Sequence, residues 1–204
     1  MRRQPPPDAG PSAASRASLL PGSRVRCYDP GMSTAPLGPG ACLRPFRSGD
    51  ADALVEVAND REVWRNLRDG FPHPYARGDA ERWIAYNEAI DPPLNFAILC
   101  DDRVVGGVGL VPGVDVHCHS AEIGYWLGRH YWGRGLATAA VRATVEYAFA
   151  RLALVRLHAG VFAWNPASAR VLEKAGFVRE GTMRKWALKD GHYVDAWAYG
   201  LVRD

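Results

Sequence analysis

The stretch that decides the fold is Glu122–Val141, EIGYWLGRHYWGRGLATAAV. An apolar, β-rich run stops, two glycines flank Arg134, and a helix-forming run of small residues begins at once. Glycine at such a junction costs chain entropy, and in return allows positive φ and leaves no Cβ between backbone and ligand. A strand that turns directly into a helix presents the unpaired N–H groups and the positive dipole end of the first helical turn, a natural anion site. On these residues alone two readings stand: a backbone cradle for phosphate, or a tight strand-to-helix turn with no ligand. Two familiar phosphate loops do not fit. A Walker loop ends Gly-Lys-Ser/Thr, which YWGRGLAT lacks, and a dinucleotide fingerprint needs a third glycine where Thr138 stands.

Outward from this junction the chain alternates strands and helices. Upstream, CLRPF is a short first strand, and DADALVEVAND spaces Ala51, Leu54, Val55 and Ala58 for a helix. GDAERWIAYNEAI makes a second helix with Asp79 as its expected cap. LNFAILC and RVVGGVGLVP flank Asp101-Asp102, a hairpin signal, and SAEIGYWLG is the next strand. Downstream, RGLATAAVRATVEYAFARL is the longest helix, with Val141, Val145, Ala148, Phe149 and Leu152 on one stripe. VRLHAGVFA is a strand. PASARVLEKAGF is a helix opened by Pro166 and closed at Gly176, and strands near 178–187 and 192–202 end the chain. The order βααβββαβαββ predicts one mixed α/β sheet.

A chain of 204 residues, 48% hydrophobic and 23% charged, fits one soluble domain, and no apolar run reaches the roughly 20 residues of a membrane helix. The net charge of +3 is local. Residues 1–40 hold five arginines and two aspartates, so residues 41–204 carry 20 basic and 20 acidic side chains, and no nucleic-acid partner is expected. Residues 1–40 also hold eight of the fifteen prolines, five glycines and five serines. Such a segment buries too little apolar surface to offset its ordering entropy, so a disordered tail (1–40) precedes a folded domain (41–204). Its composition suits either an organellar transit peptide or an over-long start ahead of Met32. Cys27, Cys42, Cys100 and Cys118 show no CxxC spacing and read as reduced thiols of a cytoplasmic protein. On a strand, His117 and His119 share a face but lack a third ligand, so no metal site is expected.

Two segments then carry a resemblance. His130-Tyr131-Trp132-Gly133-Arg134-Gly135 resembles the Q/R-x-x-G-x-G/A pyrophosphate loop of the GNAT acetyltransferase superfamily, departing at its first position. NPASARVLEKAGF, Asn165–Phe177, is similar to the N-x-x-S-x-x-x-x-E-K-x-G-F pattern of the RimJ/RimL-like branch, the ribosomal-protein alanine N-acetyltransferases. FPHPYARGDAERWI, AEIGYWLG and EGTMRKWALKDGHYVDAWAYGLV resemble the same branch, in family order. The resemblance implies a mixed, mostly antiparallel β-sheet, splayed at the CoA site and flanked by helices. It implies transfer of an acetyl group from acetyl-CoA, without a metal, to a primary amine: a protein N-terminal α-amine or a small-molecule amine. An antibiotic or polyamine acceptor, and a catalytically silent acyl-CoA-binding domain, remain as alternatives. The sequence does not choose between monomer and homodimer.

By that resemblance the amides of Gly133, Gly135, Leu136, Ala137 and Thr138 hold the pyrophosphate, with Arg134 adding a charge-assisted contact. Tyr125, Trp126 and Leu127 lie beside the pantetheine, where a backbone N–H polarises the thioester carbonyl. Asn165 bonds the coenzyme. Glu122 is the candidate base, on the strand side of Gly124 and Trp126 unless a bulge resets the alternation. Ser168 is a candidate proton donor or a helix cap, and Leu172 stands where some members carry an acidic tyrosine. On the acceptor side His73, Tyr75 and Arg184 are the expected wall residues.

Overall fold

The computed structural model describes residues 34–203. In chain order its elements are Ala35–Gly38 (β1), Ala41–Pro45 (β2), Ala51–Ala58 (α1), Arg61–Trp64 (α2), Arg77–Glu88 (α3), Asn95–Cys100 (β3) and Arg103–Pro112 (β4). Then follow Ser120–Leu127 (β5), Leu136–Arg151 (α4), Arg156–Phe162 (β6), Pro166–Lys174 (α5), Val178–Lys189 (β7) and His192–Val202 (β8). All eight strands join one sheet in the order β1-β2-β3-β4-β5-β6-β8-β7. Every neighbouring pair is antiparallel except β5 with β6.

The sheet is covered on both faces. On β3, Phe96 and Ile98 enter the core shared with α4 and α5, while Ala97 and Leu99 enter the core shared with α1 and α3. That two-sided burial is why NFAILC reads as a continuous apolar run rather than an alternation. On α4, Val141 and Ala148 are fully buried, and Val145, Phe149 and Leu152 pack at the edge of the same core. Phe96 meets Tyr147 edge-on, ring centroids 5.2 Å apart, a packing mode that adds about 0.5–1.5 kcal/mol to area burial. No helix among the described residues is long and apolar enough to cross a membrane.

Two sequence expectations need correction, and one helix carries no sequence signal. Folded structure begins before position 41: Ala35–Gly38 is an edge strand on β2, and Ala35 and Leu37 pack against the core. Its four residues include Pro36, which an edge strand tolerates and a sequence pattern does not flag. Residues 1–33, the rest of the expected tail, lie outside the described residues. Asp79 is not the cap of α3; the helix starts two residues earlier, and the Asp79 carboxylate accepts from the Ala76 N–H at 2.8 Å, as an acid in the first turn can. The helix α2, one turn capped by Asp60 through the Glu62 N–H, is too short to show a period.

Candidate active site

The parallel pair β5–β6 is joined only at Ser120–Glu122 against Arg156–His158. Past Glu122 the strands part: β5 keeps β4 as partner and β6 keeps β8. The β4–β5 register runs without a shift from Pro112↔Ala121 to Gly106↔Leu127, and the bulge lies instead between β3 and β4. The simple alternation therefore holds. Ala121, Ile123 and Leu127 face the α4 core, with Tyr125 packed at its edge, while Glu122, Gly124 and Trp126 face the opposite side. Gly128 donates to Val105 at 2.8 Å. Counting back along the antiparallel ladder, the backbone groups of Ile123, Tyr125 and Leu127 point away from β4; the Ile123 N–H closes the β5–β6 pairing, so the N–H and C=O of Tyr125 and the N–H of Leu127 face the gap.

At the end of β5 a short turn, Arg129–Tyr131, leads to Trp132, whose indole donates to the Leu127 carbonyl at 2.8 Å and holds the loop on the strand. Gly133 and Gly135 have φ of 76° and 82°, and a Cβ on either would meet nothing within 4 Å, so both border open space. Gly135 is the N-cap of α4, whose first turn carries no acidic residue. The first intrahelical bond runs from Ala139 to Gly135 at 3.0 Å, which leaves the N–H groups before it without an i−4 acceptor. These features fit an anionic group. A cavity of about 310 Å³ is lined by Tyr125, Trp126, Leu127, Gly133, Gly135, Leu136, Ala137, Thr138, Asn165 and Ser168. Arg134 is not on this wall; its guanidinium lies over the Tyr131 ring, 5.2 Å from the centroid.

A second cavity, about 770 Å³, opens on the Glu122 face. The two share Asn66, Leu67, Tyr125, Trp126, Asn165 and Ser168 as wall residues. At that junction the Tyr125 hydroxyl lies 2.9 Å from both the Ser168 carbonyl oxygen and Oγ. Burial pushes the Tyr125 pKa well above the ordinary phenol range, against a smaller opposing effect of Ser168, so this hydroxyl stays protonated at neutral pH. Ser168 does not cap α5. The cap is Asn165, whose Oδ1 accepts from the Ser168 N–H at 3.1 Å and leaves the serine hydroxyl free for Tyr125. Leu172 is fully buried, and both cavity and core touch it.

Glu122 lines the larger cavity and is gripped by Arg68, one guanidinium nitrogen contacting both carboxylate oxygens. Arg68, Leu67 and Phe71 belong to the segment between α2 and α3, and Phe71 packs edge-on to Trp126 at 5.2 Å. This segment is tied down at two points. The Trp164 indole donates to Asn66 Oδ1 at 3.2 Å. Lys189, 2% exposed at the end of β7, bonds Asp69 at 2.6 Å and sits 3.6 Å from the centre of the Trp64 ring. Tyr75 lines the cavity as expected, but His73 stacks on Trp64 outside it, 5.6 Å between centroids. Arg184 is also off the wall, and Trp186 occupies it instead. Arg68, Asn66, Trp164 and Lys189 carry no sequence signal; only the fold brings positions 54 to 120 residues apart together. His117 ends a short 3-10 turn rather than sitting in a strand, and no metal-holding cluster of His, Cys, Asp and Glu occurs among the described residues.

The profile of the acetyltransferase (GNAT) domain matches residues 41–178. The probable N-acetyltransferase YjcK of Bacillus subtilis (strain 168) is 41% identical over 160 residues, 75% of this chain and 88% of YjcK. The L-amino acid N-acetyltransferase AaaT of Escherichia coli (strain K12) is 30% identical over 163 residues, covering 79% and 97% of the two chains. Among solved structures, RimL, a ribosomal L7/L12 alpha-N-protein acetyltransferase in complex with coenzyme A, superposes with a TM-score of 0.74 at 19% identity, over 84% of this chain and 98% of RimL.

Proposed function

The chain belongs to the acetyltransferase (GNAT) family, and from that premise we propose that it moves an acetyl group from acetyl-CoA to a primary α-amine by direct attack, with Glu122 and the Tyr125–Ser168 pair on either side of the reacting carbon. The observation that carries the reading is the junction of the two cavities, where a carboxylate, a buried hydroxyl pair and outward-facing strand amides converge. Acetyl-CoA supplies the thioester. Gly133, Gly135, Leu136, Ala137 and Thr138 offer backbone donors to its diphosphate, and the free edge of Tyr125 to Leu127 pairs with its arm.

The chemistry asks three things of the protein. The incoming amine must lose a proton. Its pKa is about 8 for an α-amine and about 10.4 for a lysine, so a carboxylate within reach lowers the barrier at neutral pH. Glu122 takes that proton. The developing oxyanion needs a fixed donor, which a backbone N–H of the parted β5 edge provides, an effect of about 3 kcal/mol in comparable sites. As the carbon–nitrogen bond forms and the carbon–sulfur bond breaks, the departing thiolate accepts a hydrogen bond from the Tyr125–Ser168 hydroxyl pair, and the proton that Glu122 took from the amine is returned to the thiolate through solvent. The family tyrosine replaced by Leu172 is thereby substituted from the opposite wall, by a hydroxyl on β5 rather than on α5.

Two relatives' names point to α-amines of different kinds, on free amino acids for AaaT and on a protein for RimL. A screen of free amino acids, peptides and polyamines with acetyl-CoA, read by thiol release and by the mass of one acetyl group, tests the reading. Acetylation of any α-amine supports it. Coenzyme binding without product from any amine assigns the chain to the silent class.

A further inference from the structure

The Arg68–Glu122 contact is difficult to reconcile with Glu122 as a base for an arbitrary amine. One guanidinium nitrogen contacts both oxygens of this carboxylate, so an incoming amine must displace or share that contact to reach it. Something must draw Arg68 away when the acceptor enters. An acceptor that carries only an ammonium group offers Arg68 nothing in exchange.

We propose that the acceptor is a free α-amino acid with a bulky apolar side chain, bound as a zwitterion that splits the Arg68–Glu122 pair: carboxylate to Arg68, α-amine to Glu122. The proposal rests on the acetyl-transfer reading above and narrows its acceptor. Three observations carry it. First, the charged lining of the larger cavity is balanced, Arg68 with Glu122 and Arg82 with Asp79. A polyamine or aminoglycoside would meet as many guanidinium groups as carboxylates. A peptide N-terminus has a neutral carbonyl where the amino acid has its carboxylate. Second, six large aromatic side chains stand on the remaining wall, Phe46, Phe71, Trp83, Trp126, Phe162 and Trp186, with Asn66, Asn95 and Asn165 as its amides. Third, Glu122 and Trp126 stand two residues on either side of Gly124 on one strand face, and a Cβ on Gly124 would meet nothing within 4 Å. That gap takes the α-carbon, with the amine towards Glu122 and the side chain towards the Phe71–Trp126 edge contact.

Arg68 is suited to the exchange. Its side chain is 62% exposed, so the guanidinium can swing without leaving a buried charge behind. A planar guanidinium also matches a substrate carboxylate on two atoms, which a lysine cannot reproduce. Arg68 is thus the specificity residue of the site, and Glu122 is released for proton transfer only when a carboxylate has arrived.

The test compares L-leucine with L-leucinamide and with a leucyl peptide, on the full chain with acetyl-CoA. The expected result is a kcat/KM for L-leucine on the order of 10- to 100-fold above that for L-leucinamide, from one charge-assisted paired contact. Arg68→Gln should bring the ratio close to one, chiefly through KM of L-leucine, and Arg68→Lys should restore part of it. Tryptophan fluorescence gives a readout apart from turnover: L-leucine should perturb it at lower concentration than L-leucinamide, and Arg68→Gln should erase the difference. Equal or better acetylation of the amide or the peptide, or a ratio unchanged in Arg68→Gln, would overturn the proposal and leave acetyl transfer standing. Failure of every amine while coenzyme still binds would overturn both.

Discussion

The two sides of this cleft are built on different principles. The proposed coenzyme side is made of backbone: a parted strand edge, two left-handed glycines and the first turn of α4, all within Tyr125–Thr138. The proposed acceptor side is made of side chains from four separate segments, with Arg68 and Tyr75, Glu122, Phe162 and Trp186 lining one cavity across the fold. Backbone donors at a helix start serve any diphosphate and depend only on local conformation. A wall of side chains can be exchanged one residue at a time. On the proposed reading, the contrast means that one side fixes the coenzyme and the other leaves the acceptor open to change within the same architecture.

If the division is sound, substitutions on one side should leave the other untouched. The largest effect is expected from Glu122→Gln. It should lower kcat on the order of 100-fold, most strongly at low pH where the amine is most protonated, while coenzyme affinity stays the same. An unchanged pH profile would remove Glu122 as the base. Gly135→Asp comes next. At a φ of 82° a side chain is strained by about 1–2 kcal/mol, and the carboxylate adds repulsion to a diphosphate. Coenzyme affinity should fall roughly 30-fold by calorimetry, with leucine-induced fluorescence intact. Tyr125→Phe removes the hydroxyl from Ser168 and should cut kcat about tenfold without altering either substrate's affinity. A KM change of the same size would make Tyr125 a binding residue only.

Lys189→Met sharpens the comparison further, because it acts on the acceptor side from outside the cavity. The buried ammonium joins Asp69 to the face of Trp64 and so fixes the segment that carries Arg68 and Phe71. Loss of a desolvated cation–π contact should raise acceptor KM about fivefold and leave coenzyme affinity alone. Equal weakening of both substrates would mean that Lys189 supports the whole fold instead.

What the sequence discloses follows the same divide. The helix α4, its glycine cap, the Asn165–Gly176 helix and the Asp101-Asp102 hairpin are legible because period, cap and turn residues lie next to one another. The side on which Glu122 projects is legible too, since β5 pairs with β4 without a bulge and the alternation is undisturbed. The strand β1 and the helix α2 are not legible: four residues are too few to show a period. Nor are Arg68 and Lys189, which act on partners 54 and 120 residues away. His73 points elsewhere because loop backbone, which no spacing rule fixes, sets its direction, and Arg184 because β7 is irregular between Met183 and Ala187, where Lys185 takes a φ of 49°.

The smallest expected effect concerns Tyr75, a buried phenol in the acceptor wall. Burial, with a further push from Asp79 and a counter-effect from Arg82, raises its pKa from 10.0 to about 12. The folded chain therefore holds this proton at pH values where the unfolded chain has already released it. By linkage, the associated stability is complete below about pH 10 and is lost as pH rises towards 12. Tyr75→Phe has no proton to lose. Between pH 9 and 11.5 its unfolding free energy should fall by about 1–2 kcal/mol less than that of the parent chain, measured by urea titration at each pH. Parallel losses in the two proteins would show that the phenol is solvated in the folded state, and that the acceptor wall is wetter than its aromatic lining implies.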